Sequence, residues 1–512
     1  MLAKIISCVN LGLNAYPIEV EIDVKERGLP SLTIVGLPDK AVEESKERVR
    51  AAIVNSGLKF PPRRKIVINL APADIKKEGA IYDFPIAVGI LHASDQLPVN
   101  SFDEKSIFVG ELALNGDLRR TRGILPMAIL AKEKNRAIYL PFANLNEAKL
   151  VKGLKIYPIK SLSQLITHLT GRQPLQPIIS QGIDIPRLMD FAVDMAFIKG
   201  QEHAKRALEI AAAGGHNVLM TGPPGCGKTI LAHAFPSILP PMTEEEILEV
   251  SKIYSVIGLL PTEQSLIYRR PYRDPHHTIS DIALIGGGQY ARPGEISLAH
   301  RGVLFLDELP EFPRRVLECL RQPLEDGQVT ISRAKQTVTY PASFTLIASQ
   351  NPCPCGWLCD PERTCTCSPG EIIRYRRKIS GPLLDRIDIH LTIPRVKFDK
   401  LIDEQVAESS AKIRQRVKKA RQKQLIRFRH HKKIFSNTEM NVADIKKYCL
   451  LEQTSVGLLK KAVEEWQLSV RAYYRILKVA RTIADLSSQD KILTEHIAEA
   501  IQYRSRLQEK NY

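Results

Sequence analysis

The chain has 512 residues, 73 Lys and Arg against 56 Asp and Glu, and a formal net charge of +17. That length excludes a single small domain, and a mix of 44% apolar and 25% charged residues excludes a disordered or fibrous chain. No apolar run approaches the roughly 18–20 residues of a membrane helix, so no membrane association is expected.

The N-terminus "MLAKIISCVNLGLNAYPIEVEID" alternates as strands do and does not resemble a signal peptide. The expected compartment is therefore the cytoplasm, where clustered cysteines favour metal or redox chemistry over disulfides. Residues 1–170 mix strand-like runs ("KIVINLAP", "SIFVGELAL") with an amphipathic helix, "DKAVEESKERVRAAIVNSG". A stretch rich in Pro, Gln and Gly marks a linker over 171–190. From 191 to 395 strands alternate with helices, the pattern of a parallel sheet. Residues 396–512 are helical and strongly charged.

Within 191–395, "NVLMTGPPGCGKTILAHAF" is an apolar strand, a glycine-rich loop and a helix. Its loop, Gly222-Pro223-Pro224-Gly225-Cys226-Gly227-Lys228-Thr229, is a complete phosphate-binding motif in the strand–loop–helix context it requires. Backbone N–H groups close around phosphate oxygens, Lys228 reaches the β- and γ-phosphates, and Thr229 offers a hydroxyl to Mg²⁺. The run "RGVLFLDELPEF" places Asp307 and Glu308 at the C-terminal end of a buried strand. Asp307 is suited to hold Mg²⁺ through water, and Glu308 to polarise an attacking water, which implies an NTPase that hydrolyses its nucleotide. A third buried strand, "TLIAS", leads to Asn351, whose amide is placed to orient that water and sense the γ-phosphate.

Directly after Asn351, five of the nine cysteines fall within residues 353–367. Cys353, Cys355, Cys365 and Cys367 form two C-x-C pairs, a set that suits tetrahedral Zn²⁺. An unmetallated loop and a redox role are the alternatives, and Cys359 is spare or a substitute ligand. Further on, Arg386 in "GPLLDRIDIHL" is either an internal ion-pair partner or an arginine finger for a neighbour's γ-phosphate. Residues 412–433 carry no acid, so they form either a solvated helix face or a backbone-binding surface, with Phe428 as a packing residue. Arg471 opens a helix with apolar Ile476, Ala480 and Ile483, and is surface decoration or a second nucleotide sensor.

These blocks, with "PHHTISDIALIGGG", "NPCPCG" and "RILKVARTIADL", resemble AAA+ ATPases of the magnesium-chelatase-like group, and within it the ComM/YifB family. The resemblance covers essentially the whole chain. It implies an α/β fold: an AAA+ P-loop parallel-sheet core with a helical C-terminal lid, preceded by a Lon-protease-like α+β N-terminal domain. It implies a homo-hexameric ring with ATP at subunit junctions, where Lys228, Thr229, Asp307, Glu308 and Asn351 act in one subunit and Arg386 comes from the next. Arg471 matches the second-sensor position, in cis or in trans. Residues 274–297 match a helix-2 insert and 328–341 a pre-sensor hairpin, both pointing into the pore. Arg333 and Lys335 near the hairpin tip would then follow phosphates without reading bases. A Lon-like Ser-Lys dyad needs a hydroxyl just after "KKEG", but residues 79–91 hold no Ser or Thr and Ile81 takes the approximate nucleophile position. A fold without peptidase activity is expected.

The resulting expectation is a DNA-dependent ATPase and helicase. It would promote branch migration and heteroduplex extension on single-stranded and branched DNA during natural transformation, with recombination proteins as further partners. The alternatives are a magnesium-chelatase motor subunit and a protein-remodelling or regulatory ATPase.

Overall fold

In the computed structural model of the chain, residues 2–25, 29–62, 64–98, 101–182, 191–261, 266–288, 291–333, 336–396, 407–431 and 434–504 are described. They divide into two compact units: Met1–Pro186 with Glu244–Ile267, and Arg187–Thr243 with Tyr268–Tyr512.

In the first unit the alternating N-terminus becomes an antiparallel hairpin, Leu2–Leu11 with Asn14–Lys25. Ile18, Val20, Ile22 and Val24 are buried, as a two-residue period with one covered face demands. The hairpin is the centre of an eight-stranded mixed sheet. Helix Asp83–Ala93, almost wholly buried, packs so closely that a Cβ on Gly89 would stand 2.0 Å from Ile22 Cδ1. Ile81 lies buried in the turn before that helix, with no nucleophilic atom to offer.

Two features depart from the sequence-based division. Ile178–Ile179, inside the expected linker, pairs antiparallel with Lys155–Ile159 as an edge strand of this sheet; residues 183–190 of the linker lie outside the described residues. Residues 244–267 fall within the expected 191–395 core yet belong to the first unit. Helix Glu244–Ile257 buries Ile247, Val250 and Ile253. The Ser255 hydroxyl donates to Glu147 Oε1 at 2.5 Å, and the Gly123 N–H donates to the Ser255 carbonyl at 2.9 Å. Burial holds the Glu147 carboxyl above the usual range, and the Asn144 side chain and Leu125 N–H complete its bonding. A buried carboxyl is tolerated when its hydrogen bonds are satisfied.

The second unit contains a five-stranded parallel sheet: β1 (Val218–Thr221), β2 (Tyr272–Arg273), β3 (Val303–Leu306), β4 (Thr345–Gln350) and β5 (Ile389–Thr392). Its order is β2-β3-β4-β1-β5. The near-continuous apolar runs of β3 and β4 match a sheet covered on both faces. Chain order reverses between β4 and β1, so the crevice beyond their C-terminal ends is the expected ligand position. After β5 the regular elements are helical, including α1 (Ser410–Arg427) and α2 (Val470–Leu486). Ile476, Ala480 and Ile483 form the buried stripe of α2. Arg475 of α2 pairs with the fully buried Asp388.

The acid-free helix α1 packs one face into the unit and leaves the other exposed. Ile413, Val417 and Ala420 are buried, and so is Phe428, which packs in the protein core. Arg416 pairs with Glu209 at 2.5 Å, Arg421 donates to the carbonyls of Ala212 and Phe435, and Arg427 donates to Asp485 Oδ2 at 2.8 Å. The acids that pair Arg416 and Arg427, Glu209 and Asp485, lie on other elements; Lys412, Lys418 and Lys419 are exposed along α1, and Arg416 is exposed yet paired.

Candidate nucleotide site and cysteine cluster

The loop after β1 uses glycine where the backbone needs it. Gly225 and Gly227 have φ of 75° and 96°, and a Cβ on Gly222 would stand 2.4 Å from the Ile393 carbonyl oxygen. Lys228, 9% exposed, donates from Nζ to the carbonyls of Gly222 (2.8 Å) and Pro223 (2.9 Å) and to Asn351 Oδ1 (3.1 Å). Thr229 Oγ1 donates to Asp307 Oδ2 at 3.0 Å. The Ser349 hydroxyl donates to the other oxygen of Asp307. The Glu308 N–H lies 3.1 Å from Asp307 Oδ1 and 3.2 Å from Ser349 Oγ. Glu308 itself has φ of 52° and an exposed side chain. A non-glycine residue in that left-handed region costs on the order of 1 kcal/mol or more, and such strain gathers where a side chain must point one way. The ends of β1, β3 and β4 thus bring Lys228, Thr229, Asp307, Glu308 and Asn351 to one crevice.

Two residues of this crevice escaped the sequence analysis. Ser349 precedes the expected sensor by two positions, and only its place in β4 aims it at Asp307. Asp274 follows the two-residue β2, too short to show as a strand in the sequence. Its carboxyl is held above the usual range by burial and, among the charges that raise it, by Asp307.

Arg386 and Arg471 lie elsewhere. Ile389, the first residue of β5, is paired with Val218, the first residue of β1. Arg386 therefore precedes the N-terminal edge of the sheet, while the glycine loop follows its C-terminal edge. Four residues of strand separate those edges by about 13 Å. Arg386 is 7% exposed and donates to the Pro382 carbonyl at 2.9 Å and to Glu325. Arg471 Nη2 donates to the other oxygen of Glu325 at 2.9 Å. Both arginines hold the Glu325 carboxyl below its usual range, the hydrogen bond from Arg386 being the larger cause. Glu325 lies in helix Pro323–Asp326, one residue short of the hairpin Gln328–Arg333 and Gln336–Pro341. In the hairpin, Val329, Ile331, Val338 and Tyr340 form the buried face, and the Tyr340 hydroxyl donates to the Ala291 carbonyl beside the 274–288 segment. Arg333 ends the first hairpin strand; Lys335 lies outside the described residues.

The four cysteines Cys353, Cys355, Cys365 and Cys367 have all their Sγ atoms within 4.8 Å of one another. Three of the separations are 3.4, 3.5 and 3.7 Å. A disulfide needs about 2.05 Å, whereas four thiolates about 2.3 Å from one ion in a tetrahedron lie about 3.8 Å apart. The donor set therefore fits Zn²⁺. Cys359 is exposed and outside the group.

Three family models cover most of the chain: magnesium chelatase subunit ChlI over residues 194–401, subunit ChlI of Mg-chelatase over 20–144, and the ChlI C-terminal region over 407–504. The YifB protein of Salmonella typhimurium is 44% identical over 497 residues, 97% of this chain and 95% of that one. The competence protein ComM of Haemophilus influenzae is 43% identical over 512 residues, 98% and 97% of the two chains. The chain belongs to the magnesium-chelatase-like ComM/YifB family. By contrast, the magnesium-chelatase 38 kDa subunit of Rhodobacter capsulatus is 26% identical over 173 residues, 30% of this chain and 49% of that one. ComM/YifB membership implies ATP and Mg²⁺ as ligands. The hard oxygens of Thr229 and Asp307, 3.0 Å apart, are the donor type Mg²⁺ requires. Among the described residues, no helix is long and apolar enough to cross a membrane.

Proposed function

We propose that this protein is an ATP-driven, ring-forming DNA motor that promotes branch migration and heteroduplex extension during natural transformation. The carrying observation is the placement of two half-sites on opposite edges of one sheet: Lys228, Thr229, Asp307, Glu308 and Asn351 on one edge, Arg386 and Arg471 on the other. Two such edges facing each other in neighbouring subunits complete one ATPase centre. A homo-hexamer closes that head-to-tail contact into a ring.

At each junction Lys228 binds the β- and γ-phosphates of ATP, and Thr229 with Asp307 hold Mg²⁺. The ion supplies neutralisation of charge developing on the phosphates. Glu308 accepts a proton from the attacking water at its exposed carboxylate, and Asn351 orients that water. Arg386 and Arg471, presented by the adjacent subunit, stabilise the charge on the transferred group. On this reading Arg471 acts in trans. The DNA partner is supported by the net charge of +17, by Arg333 and Lys335 in the hairpin sequence, and by the similarity to the Haemophilus competence protein. The cysteine group is proposed to hold structural Zn²⁺, which supplies a cross-link between loop ends. The N-terminal unit is proposed to serve assembly or docking of recombination proteins, without peptidase activity.

The test is ATP hydrolysis with and without single-stranded DNA. Stimulation that falls steeply with added salt is expected from phosphate contacts. Hydrolysis indifferent to DNA at low salt overturns the assignment and favours a chelatase-type or protein-remodelling motor.

A further inference from the structure

The cysteine cluster and the nucleotide loop touch. Gly356, one residue after Cys355, has φ of 84°, and a Cβ there would stand 2.5 Å from Pro224 Cδ and 2.8 Å from Pro224 Cγ. Pro224 is the third residue of the phosphate-binding loop. Gly356 is buried and its N–H donates to the Cys353 carbonyl at 3.0 Å, so the C-x-C turn itself presents the flat surface that Pro224 meets. On the other flank, Trp357 carries the guanidinium of Arg363 at 4.5 Å and that of Arg395 at 4.4 Å. Arg395 also pairs with Asp360, whose side chain is 2% exposed. Arg395 lies just beyond β5, so that flank is anchored to the sheet. At the root, Cys353 is two residues from Asn351, which accepts from Lys228. Residues 351–357 thus form one wall of the nucleotide crevice and contact the phosphate loop at two points.

The ordering of this wall depends on the cysteines. Nine residues separate Cys355 from Cys365, and thiol–thiol contacts contribute little to closing that span, whereas closure itself costs conformational entropy. Four converging thiolates also repel unless a cation lies among them. A soft divalent ion removes the repulsion and joins both ends of the span. We propose that Zn²⁺ at Cys353, Cys355, Cys365 and Cys367 sets the affinity for ATP, by holding Gly356 against Pro224 and Asn351 beside Lys228. This rests on the zinc assignment made above.

The experiment measures zinc content and affinity for a fluorescent ATP analogue on the full-length protein at constant Mg²⁺. Measurements are made as purified, after treatment with a zinc-selective chelator, and after zinc is returned. The expected result is near one zinc per chain, at least about tenfold weaker analogue binding after removal, and recovery on return, with circular dichroism unchanged. Gly356→Ala supplies an arm that leaves the ligands in place: it is expected to retain zinc and still weaken analogue binding. Cys359→Ser is expected to change neither quantity. Full zinc with analogue affinity unchanged on its removal overturns the coupling and leaves the zinc assignment standing. Absence of zinc as purified, with none taken up when it is supplied, overturns the zinc assignment and the coupling with it.

Discussion

Arg386 and Arg471, 85 positions apart in the chain, share one carboxylate: each donates to a different oxygen of Glu325. The arrangement holds two long cations side by side at the sheet edge remote from Lys228. It also ties them to the short helix that leads into the Gln328–Pro341 hairpin. Replacing Glu325 by Gln keeps an acceptor and removes the charge. Analogue binding is expected to be unchanged. DNA-stimulated turnover is expected to fall roughly tenfold, the rate equivalent of one charge-assisted hydrogen bond, with a smaller fall in the basal rate. Equal loss of both rates would mean that Glu325 serves stability alone.

Because the two proposed half-sites lie on opposite edges, they separate genetically. Lys228→Ala is expected to abolish ATP binding, and Arg386→Ala to bind ATP without turning it over. Mixed in one ring, the two variants restore some intact junctions, each pairing Lys228 of one subunit with Arg386 of the next. Recovery of hydrolysis on mixing is therefore expected, read by steady-state ATPase assay. If Arg386 acted within its own subunit, mixing inactive variants would recover nothing.

Glu308 is exposed, backbone-strained and bound through its N–H to Asp307 and Ser349. Glu308→Gln removes the proposed proton acceptor and leaves those backbone bonds. Turnover is expected to drop by 10²- to 10⁴-fold, the usual contribution of a positioned base, while bound ATP persists and rings accumulate. Single-turnover hydrolysis with size-exclusion chromatography checks both. Turnover within a factor of a few of the parent protein would reassign the base.

The convergence of Lys228, Thr229, Asp307, Glu308 and Asn351 was legible because its parts are local: a glycine loop between an apolar strand and a helix, an acid pair at a strand end, an Asn after a buried strand. Each is set by a dozen neighbouring residues. What escaped depends on distance. Glu325 is 61 positions from Arg386 and 146 from Arg471, and nothing near it marks it as their partner. The cations of α1 looked unpaired because their acids, Glu209 and Asp485, lie on other helices. Helix Glu244–Ile257 is amphipathic in sequence, but the face it covers lies in the first unit, and periodicity does not say which core a face joins. The two-residue β2 gave no periodic signal at all, so Asp274 was missed with it.

The α1 pairing separates stability from DNA binding. Arg427 donates to Asp485 and Asn437, and Asp485 is fully buried. Arg427→Ala leaves that carboxylate without its bidentate partner, with Arg481 and the Asn437 amide remaining, and is expected to destabilise the second unit by about 3 kcal/mol. Lys418→Ala, at an exposed position, is expected to leave thermal unfolding unchanged. An unaltered melting temperature for Arg427→Ala would show the pair to be dispensable.

The hairpin supplies the last discrimination. Its buried face, Val329, Ile331, Val338 and Tyr340, packs inward, and Arg333 ends its first strand. A cation that follows phosphates contributes to affinity through released counterions and carries no base preference. Arg333→Ala with Lys335→Ala is expected to leave basal hydrolysis intact and to weaken single-stranded DNA equally across sequences. The slope of log affinity against log salt is expected to fall by about 1.4, or about 0.7 per lost contact on single strands. The Lys418→Ala, Lys419→Ala pair on α1 supplies the comparison. If it lowers the slope and the hairpin pair does not, DNA runs along the helical region and the hairpin is not the element that grips it.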